Sequence, residues 1–66
     1  MAKDTPEGEV IFEFLRIGNS VKVTALHVAT DTEISLVGAP SAGDYGLKLA
    51  ALRKLNYVLA QKRNGA

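Results

Sequence analysis

A chain of 66 residues is one small domain at most, because at this size folding buries only about 60% of the surface that the unfolded chain exposes. It has no Cys, which excludes disulfides, thiol redox chemistry and Cys-based zinc sites, and its single His builds no metal centre alone. Eight Lys plus Arg against seven Asp plus Glu give a formal net charge of +1, which is neither the basic footprint of a dedicated nucleic-acid binder nor an acidic tail.

The first eight residues, MAKDTPEG, are polar and carry Pro6 and Gly8; they read as a disordered N-terminal segment with no apolar secretory leader. Residues 10–17 (VIFEFLRI) and 21–28 (VKVTALHV) are rich in β-branched and aromatic residues and read as strands. Gly18-Asn19 between them suits a two-residue hairpin loop of type II′, which requires a positive φ at Gly18. Such a loop pairs Ile17 with Ser20, Phe14 with Val23 and Phe12 with Ala25. Side chains alternate along a strand, so Val10, Phe12, Phe14, Val21, Val23 and Ala25 then share one face. A slip by one residue would set the aromatic rings against Lys22 and Thr24 instead. Turn chemistry and pattern agree.

A second reversal is expected at Thr30-Asp31, pairing Ala29 with Thr32, His27 with Ile34 and Ala25 with Leu36. Ile34 and Leu36 thereby join the Phe12/Phe14 face. GAPSAG, residues 38–43, breaks the alternation and reads as a linker. Beyond it the period changes. Leu47, Ala51, Leu52, Leu55, Val58 and Leu59 form the apolar stripe of a helix that starts near Asp44. Ser41 or Asp44 can cap its start, and the pair has the spacing of a capping box with Asp in place of Glu. Lys62 and Arg63 suit the negative end of the helix dipole, and Gly65 suits a stop. The chain thus reads as a single domain over 9–63 with a short tail, 64–66. Its fold class is α+β: a three-stranded antiparallel meander with one C-terminal helix packed on one face, β-β-β-α.

GEVIFEFLRIGNSVKVTALHVATDTEISLVG followed by ALRKLNYVL resembles a small alphaproteobacterial domain family of unknown function over roughly residues 8–61. GNSVKV, the acidic TE after the second turn and ALRKL in the helix carry the likeness. The resemblance implies the fold and supplies no functional residues. Thr32 stands where the family pattern implies Gly. Some members bear a serine hydroxymethyltransferase label, an activity whose large pyridoxal-phosphate enzyme does not fit in 66 residues.

No residue pattern specifies catalysis, a cofactor or a small-molecule substrate, and no run approaches the ~20 apolar residues of a membrane span. His27, the one imidazole, falls on the core face near the end of the second strand. A general base is one reading, but the pattern sets no Ser or carboxylate beside it, and a histidine half covered by the helix is the plainer one. Arg53, Lys54 and Arg63, with Lys62, Lys48 and Lys22 as helpers, could touch phosphates or form an ordinary solvated helix face. The other sheet face carries Ile11, Leu15, Ile17, Leu26, Val28 and Val37, more apolar side chains than a solvated face needs. Either it stays wet as an amphipathic sheet, or a second copy or another protein covers it. The reading is therefore a cytoplasmic, non-catalytic interaction or structural module that self-associates through this outer face, with weak nucleic-acid binding through the basic helix residues as the alternative.

Overall fold

The structure is a computed structural model that describes residues 8–65, with side chains as far as Lys62. The N-terminal expectation falls, apart from Gly8, outside the described residues. Three strands, β1 (Val10–Ile17), β2 (Ser20–His27) and β3 (Thr32–Gly38), form an antiparallel sheet in the order β1-β2-β3. A 3-10 turn (Pro40–Ala42) leads into one helix, α1 (Gly43–Gly65). This is the β-β-β-α arrangement that the pattern predicts.

The first hairpin has the expected register, with Ile17 opposite Ser20, Phe14 opposite Val23 and Phe12 opposite Ala25. Gly18 has φ 58°, and Asn19 is not among the residues with positive φ, as a type II′ turn requires. Arg16 Nε donates a 2.8 Å hydrogen bond to the Gly18 carbonyl and closes the turn from the side.

The second hairpin differs from expectation. His27 lies opposite Thr32, Ala25 opposite Ile34 and Val23 opposite Leu36, a displacement of two residues. The loop is four residues long, 28–31, with the Asp31 N–H bonded to the Val28 carbonyl at 3.2 Å. The Val28 N–H continues the β1 ladder through its bond to the Glu9 carbonyl (3.1 Å), and the chain reverses at Ala29-Thr30 rather than at Thr30-Asp31. Asp31 takes the left-handed conformation (φ 53°), which a short polar side chain tolerates. Because the displacement is even, every side chain keeps its predicted face.

The stretch expected to be a plain linker is also more ordered. It contains the 3-10 turn, closed by the Ala42 N–H to the Ala39 carbonyl at 3.1 Å. Ser41 lies inside that turn rather than at the helix boundary, while Asp44 occupies the first turn of α1, where its carboxylate suits the dipole.

Val23, Ala25, Ile34, Leu47, Ala51 and Leu55 are buried and, with Val21, make the core. They come from the inner faces of β2 and β3 and from one stripe of α1. Three contacts trace the path of the helix. Leu47 packs so closely on Gly38 that a Cβ there would collide with its Cδ2. Lys54 reaches the Ser35 carbonyl, and Lys62 reaches the Thr32 hydroxyl. Helix numbers rise as strand numbers fall, so α1 runs antiparallel to β3. From Leu47 to Lys62 the helix rises about 22 Å, close to the roughly 20 Å between Gly38 and Thr32.

That path has a cost for β1. A helix about 10 Å wide covers about two strands spaced near 4.8 Å, and the short connection after Gly38 holds it over β3 and β2. Phe14, expected beneath the helix, is 40% exposed. Phe12 packs against the core edge with Lys48 Nζ 5.1 Å above its ring.

Candidate functional site

Two arrangements could carry function, a polar cluster at one end of the fold and the uncovered outer face. The cluster starts from the register. With His27 opposite Thr32, both side chains point to the inner face at the end of the sheet, beyond the last apolar turn of the core. His27 is only 5% exposed. Its Nδ1 lies 2.7 Å from the Thr30 Oγ1, which lies 2.8 Å from the Thr32 Oγ1. Lys62, near the C-terminal end of α1, donates to that same Thr32 oxygen at 2.9 Å. An ammonium group can only donate, so Thr32 accepts from Lys62 and passes its own proton to the Thr30 hydroxyl or, at 3.4 Å, to the Thr30 carbonyl.

A Thr hydroxyl beside an imidazole is one element of nucleophilic catalysis, but a working pair needs the base oriented toward a hydroxyl that is free to attack. Here the Thr30 hydroxyl is shared with Thr32, and the chain ends on a helix lysine. Every buried side-chain nitrogen and oxygen among the described residues is hydrogen-bonded. What the cluster does is tie the β2–β3 turn to the end of α1. The sequence reading placed His27 correctly on the core face but missed Thr30 and Thr32. Their signal was the spacing H-V-A-T-D-T, which yields this cluster once the loop is read as four residues.

Arg53 is exposed, Lys54 is bonded at 2.8 Å to the Ser35 carbonyl, and Lys62 belongs to the polar cluster. The Arg63 side chain lies outside the described residues. Among the described residues, no three His, Asp or Glu side chains converge on a possible metal position, and no helix is long and apolar enough to cross a membrane.

The outer face is assembled as its alternation predicts. Ile11 lies opposite Leu26, and Leu15 lies opposite Lys22, which in turn lies opposite Val37. Ile11, Leu15, Ile17 and Val37 are exposed, Val37 to 66%, and Leu26 is half-buried in the middle of the row. Val28 is exposed at the start of the second turn. Glu13 lies opposite Thr24, which lies opposite Ser35, so a polar row crosses this face between Leu15 and Val37 on one side and Ile11 and Leu26 on the other.

The DUF6898 family, a domain of unknown function, matches residues 7–62, nearly the whole chain. The chain belongs to this family. No curated protein and no solved structure matches it. The family match covers all three strands and most of α1, so the outer face and the polar cluster both lie within the DUF6898 domain.

Proposed function

We propose that this DUF6898 domain is a small, non-catalytic protein-interaction module and that its outer sheet face is the contact surface. The observation that carries the reading is the exposure of Ile11, Leu15, Ile17 and Val37 on a face that no helix among the described residues covers. Fully burying one such side chain contributes about 1.5–3 kcal/mol, so a partner chain laid on this face would add substantially to a small core. Participation of His27 in the lock between turn and helix supports a structural rather than a catalytic role for the one imidazole. A cytoplasmic setting is part of the same proposal, and a bacterial source is what the family resemblance implies.

The test is a paired capture experiment from native lysate with tagged wild type and tagged Leu26→Lys, each first checked by circular dichroism for retained fold. Proteins held by the wild type and released by the lysine variant are the expected result. Identical protein sets on both would remove the outer face from the account. Retention of nucleic acid by both, lost on Arg53→Ala, would replace it with the basic-helix reading.

A further inference from the structure

We propose that two copies of the chain join along the open edges of β1, antiparallel and two-fold related, so that two three-stranded sheets become one of six strands. This contact uses a surface other than the outer face and stands without it.

A two-residue loop makes Ile17 and Ser20 a hydrogen-bonded pair, and such pairs alternate along an antiparallel ladder. The odd residues of β1 therefore bond to β2, and the bond between the Val28 N–H and the Glu9 carbonyl continues that series. The N–H and C=O groups of Phe12, Phe14 and Arg16 point the other way. Among the described residues no element lies beyond them.

The two sheet edges are treated differently. On β3 the outward carbonyl of Ser35 is occupied by the Lys54 ammonium at 2.8 Å, a lysine set across an edge in the way natural sheets discourage strand addition. Among the described residues β1 has no such guard. It holds no Lys and no Pro, and its two charges, Glu13 and Arg16, offset each other. It is also apolar at the edge on both faces, with Phe14 exposed on the inner side and Leu15 and Ile17 on the outer.

A second copy of the same strand complements this edge better than a foreign segment of unspecified sequence. Two-fold antiparallel pairing matches outward donors with outward acceptors of the same strand, over residues 11–17 or 10–14 in the two registers given below. Keeping the inner faces of both copies on one side requires even residues to face even residues. Of the central registers, the one that sets Glu13 against the partner's Glu13 is disfavoured by like charge. The two flanking registers place Phe14 opposite the partner's Phe14 or opposite the partner's Val10. In either case the ring that α1 leaves partly exposed gains an apolar neighbour. The contact is small, in the range of weak and transient interfaces, and is expected to form at roughly tens to hundreds of micromolar.

Amide hydrogen exchange on the wild type, followed by NMR across a dilution series alongside sedimentation, tests this directly. The Phe12 and Phe14 amides should exchange about tenfold or more slowly when the protein is concentrated, and the protection should vanish on dilution to monomer. Phe14→Lys, which lies outside the packed core, should stay folded and remain monomeric throughout. A dimer in which these two amides stay unprotected would place self-association on the outer face and overturn the proposal. Protection that persists in the monomer would mean that the chain covers its own edge, which also overturns it. A monomer with rapid exchange at every concentration ends it outright.

Discussion

β1 and β3 are both edge strands, both pair with β2, and are eight and seven residues long, yet the fold finishes one and leaves the other open. β3 buries Thr32 and Ile34, accepts Leu47 against its terminal glycine, and has a lysine across its outer edge. β1 carries both phenylalanines of the chain and has no fully buried residue. Apolar content therefore does not decide which strand enters the core. The helix decides it, through its width and the short connection that ties it to β3.

The sharpest test exchanges the expectations that residue size alone would give. Ile34→Ala on β3 should cost about 2–5 kcal/mol, since the side chain is buried under α1. Phe14→Ala on β1 removes a larger group and should cost less, about 1–2 kcal/mol, because the residue is already 40% exposed to water. Urea denaturation at a concentration where the chain is monomeric gives both values. A Phe14→Ala loss equal to that of Ile34→Ala would mean that the helix covers β1 after all.

Gly38→Ala comes next, at about 1–3 kcal/mol, because the added methyl meets Leu47 at the point where β3 hands the chain to the helix. Leu47→Ala in the same background should recover part of the loss beyond simple additivity. Additive losses would show that the contact does not set the helix position. The smallest effects separate the two turns. Gly18→Ala, at φ 58°, should lose about 1 kcal/mol in the β1–β2 turn. Asp31→Gly, at φ 53°, should gain up to about the same amount in the β2–β3 turn. Thermal melts of the pair, moving in opposite directions, check the assignment.

Much of this was legible in the residues because two signals agreed. Gly18-Asn19 set the loop length of the first hairpin, and the Phe12/Phe14 alternation independently demanded the same register. The second hairpin had only one signal. Thr30-Asp31 is a plausible reversal by composition, and nothing in the strand pattern distinguishes displacement by two residues, which leaves every face unchanged. That ambiguity concealed the His27–Thr30–Thr32–Lys62 cluster, since it exists only in the observed register. The partial exposure of Phe14 was hidden for another reason. Periodicity identifies which face of a sheet a helix covers and is silent about how far across that face it reaches. The outer-face residues, by contrast, follow from alternation alone and appear where expected, apart from Val28, which sits in the turn rather than the strand.

The order of the elements has one more consequence, which bears on synthesis at the ribosome. β1, β2 and β3 emerge before any part of the helix, so hairpin pairing can begin early, but Val23, Ala25 and Ile34 have nothing above them at that stage. Only when Leu47, Ala51 and Leu55 have left the exit tunnel can the core close. Until then the nascent chain presents a sheet that is apolar on both sides, the state in which unpaired strands are most prone to wrong contacts.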